Sequence, residues 1–287
     1  MGKYLIIFIL IFLAVQSRAE GIRDEIFYLN RENKLSINEE NLNKLKQEDS
    51  TALIEILAES KEDHPIKTIM GELQVSTAAK NEIILKLAEF ADQRARDIIE
   101  WYMLNSPDRF NRHIAAVALG SVGDKTSIEK LKTVIKELDP ALQLYAARAL
   151  GELGDVSGYD LAIQYLNSAD LTLKTQAMYA LAMIGLPAAI PLLERELSDK
   201  NTREVARLAI NKIKYDNLPA KKKPAYLRKL LQRESGETVY WAATEFMTLG
   251  EEYVRELKKI AQRKKYPGVE LIKAALAAKE IQGDMIK

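Results

Sequence analysis

The sequence repeats itself every 31 residues. The segments RHIAAVALGSVGD, LYAARALGELGD and TQAMYALAMIGL close on Gly123, Gly154 and Gly185, with no gap between one repeat and the next. A fixed period of this size marks a row of similar units. Superposed, the repeats give columns: Ala115/Ala146/Ala177, Ala118/Ala149/Ala180, Leu119/Leu150/Leu181 and Val122/Leu153/Ile184. Within a repeat these positions are three or four apart, so they line one face of a helix. Alanine favours the helix and lets a neighbour approach closely. Glycine after the last apolar position predicts a left-handed helix stop at all three closing positions.

A second apolar series follows each glycine: Ile128/Tyr159/Ile190, Leu131/Ala162/Leu193 and Ile135/Leu166/Leu197. Each repeat is therefore a pair of helices that cannot bury its apolar face alone. Stacking buries it, and the expected fold is all-α, an α-solenoid (superhelix) of stacked antiparallel helix pairs. Asp108, Asp139, Asp170 and Asp199 stand before first helices, where a carboxylate caps free amides and opposes the helix dipole. Pro140 suits a first helical turn. Four residues after each Asp come Arg112, Gln143, Lys174 and Arg203, three of them cations placed to reach the Asp of an adjoining repeat. These polar columns read as a structural ladder.

The pattern Asp-x-x-x-Arg … Ala-x-x-Ala-Leu-Gly-x-Val-Gly-Asp resembles HEAT repeats, of the short type associated with phycobilin lyases. The likeness is clear from Asp108 to about Tyr215 and weaker in the flanks. It implies a scaffold or adaptor and little about activity. A lyase-like enzyme attaching a tetrapyrrole is the alternative that the resemblance implies. An export signal and the absence of a visible nucleophile speak against it.

The N-terminus carries a separate signal. Lys3 precedes an apolar run from Tyr4 to Val15, followed by small residues at Ser17 and Ala19. That is the form of a secretory signal peptide cleaved after Ala19. The run is shorter than the roughly 20 residues of a membrane span, though an uncleaved anchor is its rival. Expected domains are a leader at 1–19, an N-terminal helical cap at 20–75 and a repeat solenoid at 76–287. About seven helical pairs are expected, the outer ones imperfect. Asn217-Leu218-Pro219 marks a break, and a last helix runs from Val269 to Ile281.

Removing the leader takes away Lys3 and Arg18 and no acid, so 42 basic against 41 acidic residues becomes 40 against 41. Such a balance argues against a nucleic-acid partner, which needs a strongly basic face. With no cysteine, the expected location is periplasmic or secreted, in a bacterial envelope.

Catalysis needs convergent groups. The two histidines, His64 and His113, fall in different segments without metal-ligand spacing. Gly120-Ser121-Val122-Gly123-Asp124-Lys125-Thr126 fails as a phosphate loop, because an acid sits before the Lys and a helix precedes it. No catalytic residue, metal site or cofactor is expected. Trp101, Tyr102, Tyr240 and Trp241 fit core positions better than interface anchors. Two basic segments, Lys221–Lys223 with Arg228, Lys229 and Arg233, and Lys258 to Lys265, read as solvated faces; contact with an anionic membrane is their functional alternative. The expected function is binding of a protein or peptide. Its candidate surface is a concave face lined by the second helices at Thr133, Lys136, Gln164, Asn167 and Arg195, with Ser198.

Overall fold

Three aspartate side chains decide where first helices begin. Asp108 accepts from the amides of Phe110 and Asn111, Asp139 from Ala141 and Leu142, and Asp170 from Thr172 and Leu173. Each thereby caps its helix as its column predicts. The computed structural model describes Ala88, residues 93–263 and residues 267–285. The leader, the 20–75 cap, His64 and the start of the degenerate repeat at Ser76 lie outside these described residues. Among the described residues there are twelve α-helices, three short 3-10 turns and no strand. They divide into two compact units, one through Ser157 and one from Gly158.

The N-terminal unit holds α1 (Gln93–Asn105), α2 (Arg109–Val122), α3 (Lys125–Val134) and α4 (Pro140–Glu152). The first helices α2 and α4 lie side by side, with α1 and α3 against them. Ala115, Ala118 and Leu119 of α2 meet Ala146, Ala149 and Leu150 of α4 in one core, completed by Ile99 and Met103 of α1 and Leu131 and Val134 of α3. The approach is tight: a Cβ on Gly120 would stand 3.3 Å from the Ala149 Cα.

The C-terminal unit continues with α5 (Tyr159–Tyr165), α6 (Leu171–Ile184), α7 (Ile190–Arg195) and α8 (Arg203–Asp216). It ends with α9 (Lys223–Arg233), α10 (Glu237–Thr248), α11 (Glu251–Ala261) and α12 (Val269–Met285). The first helices α6, α8, α10 and α12 follow one another side by side, each joined to a second helix. Ala177, Ala180 and Leu181, then Ala206, Ala209 and Ile210, then Ala242, Ala243 and Phe246 carry the buried face along. Both units are stacks of helix pairs, and the fold class is the all-α solenoid. The expected break falls where α8 ends: the Asn217 side chain donates to the carbonyls of Ile213 and Gly185, satisfying helix ends.

Three expectations need correction. Gly154 and Gly185 are left-handed, at φ of 80° and 73°, but Gly123 is extended at φ −66°, ψ 164°. Asp124 follows it at once as the N-cap of α3, so the chain turns without a left-handed residue. Glycine is needed there for space: a Cβ would meet the Leu119 carbonyl oxygen at 2.5 Å and the side chains of Leu153 and Ser127 at 3.0 Å. Asp199 does not cap a first helix; its side chain accepts from Asn201, and α8 starts after Thr202. The residues four after each Asp do not reach neighbouring aspartates. Arg112 donates to the Met103 carbonyl and to Glu137, Gln143 to the carbonyls of Ile135 and Glu137, and Arg203 to those of Leu197 and Ser198. Lys174 pairs with Glu196. Three of the four thus serve carbonyls that end the preceding helix.

Leu150 is fully buried, so Leu150→Ala lowers the unfolding free energy by about 2–5 kcal/mol in denaturant titration. Ala146→Trp overpacks the α2–α4 contact and lowers it by about 1–3 kcal/mol. Gly154→Ala, with nothing within 4 Å of the new carbon, costs about 1–2 kcal/mol through backbone strain alone.

Candidate functional site

The layer of first helices is crowded and the layer of second helices is not. In the C-terminal unit α6, α8 and α10 approach one another closely, whereas α5, α7, α9 and α11 hardly meet among themselves. Small residues on one layer and larger ones on the other produce this difference. The Tyr179 hydroxyl of α6 donates to Glu237 of α10 at 2.6 Å, past the intervening α8.

Around that bond lies a polar patch. Arg207 of α8 donates to Glu204 at 3.0 Å, and its Nε stands 3.6 Å from Glu234, which precedes α10. Glu204 lies over Gly236, where a Cβ would stand 2.8 Å from its Oε2. Gln176 Oε1, Glu204 Oε2, Thr238 Oγ1 and Trp241 Nε1 are buried atoms without a hydrogen-bond partner. Sequence reasoning placed Trp241 in the core and did not single out the others.

The expected second-helix positions are exposed. Thr133 and Lys136 belong to the N-terminal unit; Gln164, Asn167, Arg195 and Ser198 belong to the C-terminal unit. Thr133 and Ser198 spend their hydroxyls on the carbonyls of Lys130 and Arg195. In the C-terminal unit Gln164, Asn167 and Arg195 stand on or beside α5 and α7, second helices that hardly meet one another.

The remaining candidates are absorbed by the fold. His113 is nearly buried, with Nε2 2.9 Å from the Asp139 carboxylate and its ring against Tyr145. Glu100, fully enclosed, receives Ser127 and Lys130. Tyr102 is buried, and Trp101 packs at the edge of the same core. Arg228 holds both oxygens of Glu256, at 2.7 and 2.8 Å, over the rings of Phe246 and Tyr253; Lys223 lies on the ring of Tyr215. That removes two cations from the first basic segment, while Lys221, Lys222, Lys229 and Arg233 stay exposed. A shallow, open recess on α11 is lined by Glu252, Arg255, Glu256, Lys258 and Lys259. Among the described residues no group of acidic, His or Cys side chains is placed to hold a metal ion, and no helix is long and apolar enough to cross a membrane.

A stack of paired helices whose equivalent positions recur at one interval is the geometry of a helical repeat family. Residues 128–214 match the family model for HEAT repeats. The match takes in the helix pairs from α3 to α8, across the columns on which the resemblance rests. None of the curated proteins compared with the chain matches it. HEAT repeats serve in general as protein-interaction scaffolds.

Several carboxylates that tie the stack together are more acidic than usual. Hydrogen bonds from the Thr126 hydroxyl and from the amides of Ser127 and Thr126 lower Asp124 to about 2. Burial pushes Asp139 upward, but bonds from His113, Leu142 and Ala141 outweigh it and hold this group below its ordinary value. Arg228 lowers Glu256. A carboxylate lowered in the folded state adds stability that is complete above its ordinary range, about 4, and is lost as pH falls through the folded value. The thermal midpoint is therefore expected to hold from pH 7 to about 5 and to drop between about 4 and 2. Asp139→Asn makes that drop smaller; calorimetry across the pH series checks both.

Proposed function

We propose that the protein is a non-catalytic scaffold of the bacterial cell envelope, exported by its N-terminal segment and binding another protein along its helix stack. The observation that carries this is the match to HEAT repeats over stacked pairs, joined to side chains that are spent on caps and on ties between helices. The polar columns end on backbone groups and on one another, as at Asp139 and Arg112. Binding by such a stack uses an extended surface contributed by several repeats.

The leader supports the location. A basic residue, an apolar run and small residues at Ser17 and Ala19 fit export and cleavage, leaving Glu20 as the first residue. Lys136 in the N-terminal unit and Gln164, Asn167 and Arg195 in the C-terminal unit are exposed. They are the proposed contact positions, polar and of mixed type, as suits protein recognition.

Capture with the full chain from an envelope extract tests the function. A specific protein retained by the wild type is expected, and retention of none overturns the scaffold. N-terminal sequencing of the exported protein should begin at Glu20; an intact leader on the mature protein overturns cleavage. Lys136→Glu with Arg195→Glu is expected to weaken capture about tenfold without changing the melting midpoint.

A further inference from the structure

The second helices at the end of the C-terminal unit carry charge of one sign. From Asn217 to Arg233 the chain has six cations, Lys221, Lys222, Lys223, Arg228, Lys229 and Arg233, and no acid. The acids flanking this stretch are engaged elsewhere: Asp216 with Lys212 at 2.8 Å, and Glu234 beside Arg207 at 3.6 Å. Folding spends two of the six cations, Arg228 on Glu256 and Lys223 on the Tyr215 ring. Lys221, Lys222, Lys229 and Arg233 stay exposed and pair with no acid among the described residues. Lys222, Lys229 and Arg233 follow one another at intervals of seven and four residues, about two helical turns and one, so they line one side of α9. The other side, with Leu227 and Leu231, is buried in the core.

The surface continues on α11. The Arg228–Glu256 pair ties α9 to α11 and neutralises the carboxylate in the middle of α11. Glu251 leans toward Lys279 of α12, 3.8 Å away. Arg255, Lys259 and Arg263 are exposed, with Glu252 as the remaining carboxylate on that helix. Both helices turn their apolar sides to the same core, so their charged sides look out from one layer. A chain whose 42 basic and 41 acidic residues nearly cancel has gathered an excess of positive charge here, and such a patch draws anionic partners.

The same surface lacks what a protein interface uses. None of the exposed large apolar side chains among the described residues lies on α9 or α11, and the recess beside Arg255 is shallow and open. Proteins bind one another chiefly through aromatic or aliphatic anchors seated in pockets. A broad basic face without anchors is the complement of a broad anionic surface whose charges have no fixed positions.

We propose that α9 and α11 form a docking face for an anionic phospholipid bilayer. Lys221, Lys222, Lys229 and Arg233 meet the lipid phosphates, and Arg255, Lys259 and Arg263 extend the contact. The two helices lie on the bilayer by charge and insert nothing, because their apolar sides are already buried. The inference goes beyond the scaffold function and does not depend on it. The contact positions proposed on and beside α5 and α7 fall outside this face.

Co-sedimentation of the full-length protein with vesicles tests it, using phosphatidylcholine alone or equal parts of phosphatidylcholine and phosphatidylglycerol. Stronger retention is expected on the anionic vesicles, and it falls as salt rises. Lys222→Glu with Lys229→Glu is expected to weaken that retention about tenfold or more, with an unchanged melting midpoint. Lys222→Gln with Lys229→Gln moves it the same way and serves where the reversed pair does not fold. Lys125→Glu with Lys200→Glu changes net charge equally at exposed sites outside α9 and α11 and is expected to weaken it far less. Equal loss in this control pair, no loss in the α9 variants, or equal retention on neutral and anionic vesicles overturns the proposal. So does a poly-glutamate peptide or duplex DNA that binds through the same lysines while anionic vesicles do not. Capture of a protein partner is expected to be unchanged in the α9 variants, so loss of vesicle binding leaves the scaffold reading standing.

Discussion

How closely two first helices can approach is the constraint on which the rest of the structure depends. Alanine at 115, 118, 146 and 149 removes the bulk that would hold α2 and α4 apart, and Gly120 faces Ala149 across the narrowest point. The same device recurs at Ala177, Ala180, Ala206 and Ala209 in the other unit. Second helices carry Leu131, Leu193 or Leu227 instead and stay farther from one another. Side-chain volume in one column thus sets how closely the helices of each layer approach. Burial of these faces supplies the stabilisation, because no disulfide is available to a chain without cysteine.

The polar ladder answers a different need. Every helix leaves free amides at its start and free carbonyls at its end. Asp108, Asp139 and Asp170 meet the amides. Arg112, Gln143 and Arg203, four residues after each Asp column, meet the carbonyls of the helix before. One short segment thus closes two helix ends. Lys174 departs from this because an ammonium is a compact point charge, and it reaches the carboxylate of Glu196 instead. Asp199 departs because the turn Glu196–Ser198 shortens the spacing, and the Thr202 hydroxyl bonds to the Glu196 carbonyl there.

Most of the fold was legible in the columns, since one small-residue pattern predicts helix, buried face and neighbour together. Gly154 and Gly185 follow from their position after a helix, whereas the need for Gly123 comes from Leu119, Leu153 and Ser127, brought together only by folding. The targets of Arg112 and Lys174 were illegible for a similar reason: several acids and carbonyls lie within reach of a long cation, and geometry selects among them. Periodicity did give the exposure of Thr133, Lys136, Gln164, Asn167 and Arg195. It could not give how closely each layer packs, which depends on a difference between two layers and not on any one helix.

Variation within the chain points the same way as the geometry. The core columns keep Ala, Ala and Leu through three repeats because volume there is fixed by the neighbouring helix. The adjoining column runs Ile114, Tyr145 and Gln176, a different side chain in every repeat. These positions are half-buried, so the neighbouring helix sets their volume less tightly than that of the alanines. The repeat is therefore strict where first helices touch and looser beside that contact.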